Sequence, residues 1–307
     1  MNQVSIISDL IVWIEKNLEQ PLSIDNVAQK SGYSKWHLQR MFKEVTGQVL
    51  GTYIRHRRLT YAALSLRMTS KPILDIAMQY RFDSQQTFTR SFKKQFNETP
   101  ASYRRGEFWD PTGLTPAIEL NKNRLSLPEP KFVNMPKQTF WGISYKNNCN
   151  LSQILDEENK LRSQFFHNYL SHYEHNSNSL PDKIFAFSRI LKSRDNANEQ
   201  ELLYTIALEH NNNLEHIEPI VSDGGLYLCF KYIGSPEDFS DFISQVHLAA
   251  MPALKVRLRS SSCLIEIHHN HHDDTIKCFK DIHSMECDYC VPVVADEEVN
   301  IQSNLSL

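Results

Sequence analysis

Two stretches of this chain, fifty residues apart, carry the same pattern, and that repeat limits the possible folds more than any other feature. In the first, Leu22, Ile24, Val27 and Ala28 form one apolar face of a short helix, with Ser23 placed to cap it. A turn at Ser31–Tyr33 follows, where Gly32 supplies the positive φ of a sharp interhelical corner. The stretch Gly32–Lys43, GYSKWHLQRMFK, then reads as the turn and second helix of a helix-turn-helix, with Ser34 as its N-cap. In the second copy Ile73, Ile76 and Ala77 echo Ile24, Val27 and Ala28. Arg81-Phe82-Asp83-Ser84 replaces Gly32-Tyr33-Ser34 with one extra residue, and Phe88 and Phe92 take the places of Leu38 and Phe42. Asn97 overlies Gly47, Tyr103 overlies Tyr53 and Arg105 overlies Arg55. Gly and Asn best tolerate the left-handed position just past a helix end, so the Gly47/Asn97 match predicts a shared C-cap.

The helices that close each copy are two-faced. Leu38, Met41 and Phe42 fall on one side of the first, and Trp36, Gln39, Arg40 and Lys43 fall largely on the other. The second presents Gln85, Gln86, Thr87, Thr89, Arg90, Lys93 and Lys94. Guanidinium, amide and apolar groups of this kind suit guanine, adenine and the thymine methyl in a major groove, and cations suit phosphates. Trp36, Gln39, Arg40, Gln85, Gln86, Thr87 and Arg90 are therefore the candidate base-reading residues. Ser34, Lys35, Lys43, Arg55, Lys93, Lys94 and Arg105 are the candidate phosphate contacts.

Charge supports a polyanion partner for this half. The net charge of −3 hides a split: residues 1–106 hold 16 Lys+Arg against 8 Asp+Glu, and residues 107–307 hold 17 against 28. A first stripe, Ile6, Ile7, Leu10, Ile14 and Leu18, marks a helix that ends before Pro21. A longer helical pattern from about Leu50 to Leu66 separates the two motifs as a spacer. Two recognition helices on one chain can address major-groove segments one turn apart, roughly 34 Å, so a monomer would bind an asymmetric site. A spacer that mismatches straight DNA would either bend it or let only one helix insert.

Residues 1–106 resemble the DNA-binding domain of the AraC/XylS family of bacterial transcription regulators, most closely its Mar/Sox/Rob group. SIDNVAQKSGYSKWHLQRMFKEVTG and ILDIAMQYRFDSQQTFTRSFKKQFNETPASYRR carry the resemblance. Arg81 stands where the wider family favours glycine. The resemblance implies base reading by Trp36, Gln39 and Arg40 and presentation of Gln85, Gln86, Thr87 and Arg90. It also implies RNA polymerase as a partner, and activation of drug-efflux and stress genes.

Residues 107–130 hold four of the 13 prolines and little periodicity, so a linker is expected at 107–124, before a second domain at 125–295. There, short β-branched and aromatic runs (Phe140–Tyr145, Ile184–Ile190, Leu202–Leu208, Gly225–Tyr232, Cys263–His268, Tyr289–Val294) alternate with helical patterns near Ile154–Leu170 and Pro236–Ala250. The order strand, helix, strand, strand occurs twice, which predicts an α+β domain with pseudo-twofold symmetry and a cleft between its halves. EQELLYTIALE, GGLYLCFKYIG and the closing YCVPV resemble the GyrI-like effector-binding domain. That resemblance implies binding of amphipathic or hydrophobic small molecules and, in some relatives, hydrolysis. Residues 296–307 read as a flexible tail.

Three clusters remain. Cys287 and Cys290 have C-x2-C spacing and His283 lies near, but no second C-x2-C accompanies them, so no metal is expected. His268, His269, His271 and His272 with Asp273 and Asp274 read as a solvated turn. Glu266, alternating with Leu264, Ile265 and Ile267, is a candidate for the effector pocket, and as a general base it would support a rival hydrolase reading. With nine glycines in 307 residues and no nucleophile–base pair in view, the sequence argues for no enzyme and no cofactor. It has neither a basic signal-peptide start nor a membrane-spanning run, so the protein is expected in the cytoplasm, with its six cysteines as thiols.

Overall fold

The computed structural model describes residues 2–120, 127–164, 181–210, 217–260, 262–269 and 284–294. The first part is all helical: α1 Gln3–Glu15, α2 Ile24–Ser31, α3 Lys35–Thr46, α4 Leu50–Met68, α5 Ile73–Gln79, α6 Gln85–Phe96 and α7 Pro100–Arg105. Its helix ends follow the local chemistry. Ser23, Ser34, Ser84 and Thr99 each accept the amide N–H three residues on, which satisfies a donor that the first turn leaves open. Gly47 and Asn97 both stand in the left-handed region and close α3 and α6 on the carbonyls of Lys43 and Lys93, as the repeat predicts. Arg81 takes the corner position of the second motif at φ 62°, a conformation that strains a side-chain-bearing residue. Its Nε donates to the Glu19 carbonyl at 2.6 Å, tying that corner to the segment between α1 and α2.

Helix α4 is the post on which both motifs hang. Leu50, Tyr53 and Ile54 enter the core of the first, with Leu10, Ile14, Val27, Leu38 and Phe42. Leu59, Ala62, Ala63 and Leu66 enter the core of the second, with Ile76, Phe88, Phe92 and Tyr103. Between the two cores Arg57, 2 % exposed, is held by Glu15 through Nε and Nη2 at 2.8–3.0 Å, and Tyr53 donates to the same carboxylate at 2.6 Å.

Beyond α7 the chain stays on this domain. Leu114 is buried in the second core, Ile118 and Leu120 pack on the first, and the Thr115 amide donates to Thr60 Oγ1. Strand β1 (Phe108–Trp109) pairs antiparallel with β8 (Leu258–Arg259) in the second half of the chain.

The second part is built on β2 Lys131–Met135, β3 Gln138–Cys149, β4 Lys183–Lys192, β5 Gln200–Leu208, β6 Glu218–Ser222, β7 Gly225–Gly234, β9 Leu264–His269 and β10 Met285–Pro292. All pair antiparallel in the order β2-β7-β10-β9-β4-β5-β3-β6. Helix α8, described over 154–164, and helix α9 Phe239–Gln245 complete the two strand–helix–strand–strand units. They meet at the β4–β9 pair, where Ala186 lies opposite Glu266, so a pseudo-twofold axis runs through the middle of the sheet. The edge strands β2 and β6 were not foreseen from sequence. Each precedes one unit and pairs with the other, an exchange that no local pattern encodes.

One expectation is corrected. Cys229 and Cys290 are directly opposed on β7 and β10 and their sulfurs are bonded, so they are not free thiols, whereas Cys149, Cys263 and Cys287 are. Cross-strand pairing brings the two side chains together despite 61 residues of separation.

Candidate functional site

The two recognition helices present the predicted faces to solvent. On α3 Leu38, Met41 and Phe42 are fully buried, while Lys35, Trp36, Gln39, Arg40 and Lys43 are exposed, Trp36 by 68 %. On α6 Phe88, Phe92 and Phe96 are buried, and Gln85, Gln86, Thr87, Arg90, Lys93 and Lys94 are exposed. Arg55 and Arg105 are exposed on α4 and α7.

Neighbours preset several of these groups. Arg40 Nε donates to Glu44 at 2.8 Å, and its guanidinium lies 5.6 Å from the Trp36 ring. These contacts fix Arg40 beside Trp36 and set next to it a carboxylate, Glu44, that was not foreseen. Lys35 is paired with Asp25 and must leave that partner to reach a phosphate. Ser34 Oγ accepts from the His37 amide, which leaves its O–H free to donate.

A second site lies where the two parts of the chain meet. A cavity of about 340 Å³ opens between α4, the helices α8 and α9, and the strands beneath them. Its walls are mainly apolar, among them Leu64, Met68, Trp109, Leu155, Ile243 and Leu248. Two polar pairs face it. Glu158, from α8, accepts a hydrogen bond from Ser188 of β4, and His247 Nε2 lies 2.8 Å from the Tyr289 hydroxyl. His247 and Leu248 belong to a π-helical turn, Val246–Ala250, that continues α9; such wide turns recur at functional sites.

Glu266 is at the centre of the sheet but does not line this cavity. Arg162 of α8 binds it in a two-pronged pair (Nε–Oε2 3.0 Å, Nη2–Oε1 2.7 Å), Tyr204 donates to it at 3.0 Å and His268 Nε2 lies 2.8 Å away. Burial alone would raise its pKa, but the Arg162 charge and the bonds from His268 and Arg162 outweigh that and hold it at about 2. A carboxylate so fully bonded by its neighbours is a poor general base.

Glu158 is the opposite case. Burial first, then the nearby Glu266 charge, push its pKa up to about 7. Its raised pKa means that the contribution of Glu158 to stability is full below the free-carboxyl value near 4.5 and is lost as pH rises through 7, by up to roughly 3 kcal/mol. Glu158→Gln should therefore raise the urea midpoint at pH 8 and leave it almost unchanged at pH 4.5. Equal shifts at both values would contradict the assignment. Burial alone drives His247 down to about 4, so it is neutral across this range.

Glu158 and Arg162 were legible and missed. Ile154, Glu158, Leu161 and Arg162 follow helical spacing, so both charges fall on the apolar stripe. Of the metal candidates, Cys290 is bonded to Cys229 and Cys287 is buried. His268 is against Glu266 and His269 against Asp288, and His271, His272 and His283 lie outside the described residues. Among the described residues no helix is long and apolar enough to cross a membrane.

Comparison with known proteins follows this division. Residues 27–106 match a helix-turn-helix domain model, and residues 128–294 match that of the GyrI-like small molecule binding domain. The chain is 42% identical to the transcriptional regulator Rob of Salmonella typhimurium over 95% of its own length and 99% of the relative's. It is 45% identical to the right origin-binding protein of Escherichia coli K12 over 84% of this chain and 89% of that one. The regulatory protein SoxS of the same organism is 60% identical over 104 residues, 34% of this chain and 97% of that protein. With a double helix-turn-helix at its start and a GyrI-like sheet after it, the chain belongs to the Rob family of AraC-type transcriptional regulators.

Proposed function

We propose that this chain is a sequence-specific transcription regulator that binds double-stranded DNA as a monomer at an asymmetric site. The observation that carries the reading is the pair of solvent-facing recognition helices, α3 and α6, fixed to one rigid helix with different side chains on each. Trp36, Gln39 and Arg40, with Gln85, Gln86, Thr87 and Arg90, read bases. Ser34, Lys35, Lys43, Arg55, Lys93, Lys94 and Arg105 hold phosphates. The protein acts in the cytoplasm, meets RNA polymerase at the promoter and activates drug-efflux and stress-tolerance genes. Its GyrI-like half modulates that output by binding small amphipathic molecules, with no catalytic step.

Two substitutions separate the roles. Arg40→Ala should cost about 1–3 kcal/mol at the specific site and relax preference at one base. Lys43→Ala should weaken binding to all sequences alike and reduce the salt slope by about one unit. Competition binding at several salt concentrations measures both, and equal losses on specific and scrambled duplexes for both variants would sink the base-reading assignment.

A further inference from the structure

The sheet of the GyrI-like half has two apolar faces. Helices α8 and α9 cover one of them, and on the other a separate cluster forms around Phe140, Phe185, Phe187, Tyr227 and Ile265. Cys229, Cys263 and Cys290 all belong to this second cluster, whereas Cys149 and Cys287 are buried on the helix-covered face. None of the three lines the cavity beneath the helices.

Strand register sets their order. Cys290 of β10 lies opposite Cys229 of β7 on one side and Ile265 of β9 on the other. Cys263 stands two residues before Ile265, so it comes up on the same face, diagonal to Cys290. Such positions are roughly 7–8 Å apart, with the side chains nearer. Cys263 precedes β9, where the ladders to β10 and β4 have ended, so no ladder bond holds its backbone back from closing the rest. Cys290 thus has a sulfur on each side and can bond only one of them at a time.

The outer two sulfurs differ in their surroundings. Cys229 is half-buried, and the residue facing it on the edge strand β2 is the exposed Lys131, an ammonium that favours a thiolate there. Burial raises the Cys263 thiol above its usual value and Asp223 adds to the rise. Arg189, whose Nε is buried without a hydrogen-bond partner among the described residues, pulls it back. Cys290 is fully buried, so a small thiol in solution meets the bond at Cys229.

We propose that Cys229, Cys290 and Cys263 form a thiol–disulfide exchange site for small thiols and disulfides, with Cys290 as the pivot sulfur. A small thiolate attacks Cys229 Sγ, the Cys229–Cys290 bond breaks, and Cys290 leaves as a thiolate that takes up a proton. Cys229 then carries a mixed disulfide, which a second thiolate removes as a small disulfide, RSSR. The protein gains two electrons and two protons from two RSH, and the reverse sequence closes the bond with RSSR as the oxidant. In an internal branch the Cys263 thiolate attacks Cys290 Sγ, forming Cys263–Cys290 and releasing Cys229 as a thiolate beside Lys131, with no net change in electrons. The bond joins β7 to β10, and both strands supply the core under α9, so its state bears on how firmly that core is held. The DNA-reading and effector-binding roles do not require this chemistry. Its use in the cell rests on the proposed cytoplasmic location, where disulfides are mostly exchanged and seldom permanent.

The test equilibrates the full chain in mixtures of reduced and oxidised glutathione, quenches with iodoacetamide and maps each cysteine by peptide mass spectrometry. As the mixture becomes more reducing, Cys229–Cys290 should open reversibly while circular dichroism shows the chain still folded. Glutathione on Cys229 should exceed that on Cys149 or Cys287 at least about tenfold. Cys290→Ser should hold glutathione on Cys229, and Cys229→Ser should yield the Cys263–Cys290 bond. If Cys229→Ser does not fold, the same bond in the unaltered chain, beside glutathione on Cys229 in intermediate mixtures, decides the part of Cys263.

A Cys229–Cys290 bond that never forms, or that stays closed in the folded chain in every mixture, would overturn the exchange site. Glutathione spread equally over all the cysteines would trace to unfolding and overturn it too. Absence of any Cys263–Cys290 bond would remove Cys290 as a pivot. These results depend neither on DNA nor on where the protein acts, so each would leave the transcription reading standing.

Discussion

Arg162→Leu should destabilise the GyrI-like half by about 3–5 kcal/mol. Arg162 and Glu266 are 3 % and 1 % exposed, and the leucine would leave Glu266 as an uncompensated charge under α8. Tyr204 and His268 still touch Glu266 but cannot replace a guanidinium held by two bonds. Urea unfolding at pH 7 measures the loss. The double replacement Arg162→Leu with Glu266→Leu should recover most of it, because the cost lies in breaking the pair more than in lacking it. A loss below about 1 kcal/mol in the single variant would mean that water reaches the pair. The sign with pH follows from the direction of the shift. Glu266, held at about 2, contributes stability above pH 4.5 that is lost as pH falls through 2.

Arg57→Met should cost the DNA-binding half about 3 kcal/mol by the same reasoning. Its partner Glu15 is 16 % exposed, which lets water recover part of the loss and sets the effect below that of Arg162. The consequence reaches function, because Arg57 joins α1 to α4 at the point where the two motif cores meet. It also holds the Thr115 carbonyl, and with it the segment that leads to the second half. Thermal unfolding of the variant should show the helical transition moving down while the sheet transition stays. Movement of both together would mean that the halves unfold as one unit.

The two motifs were legible because short-range chemistry fixes them. Cap serines, a left-handed Gly or Asn and apolar residues four apart (Leu38 and Phe42, then Phe88, Phe92 and Phe96) leave little choice of register, so α3 and α6 expose the faces the sequence assigns to them. Arg81 shows the limit. An arginine at a left-handed corner reads as a departure, and the bond to the Glu19 carbonyl that offsets its strain comes from 62 residues away.

The six central strands of the second half were legible as short β-branched and aromatic runs, and its symmetry from their order. The edge strands β2 and β6 were not, since each is a short run whose partner belongs to the other repeat. Glu266 marks another limit of the sequence. Alternation put it on the cleft-facing side of its strand, but no strand pattern reveals that Arg162 would cover it from a helix. The carboxyl left open to the cavity, Glu158, sits on that same helix one turn earlier.

The ratio of affinities for a selected duplex and a scrambled duplex of equal composition, at about 0.15 M salt, is the most direct measurement of what this chain does. Two recognition helices that read bases predict a ratio of at least about 10³, with an unsymmetrical selected site. A ratio near one would leave only phosphate attraction and would contradict the assignment of α3 and α6 as readers of sequence.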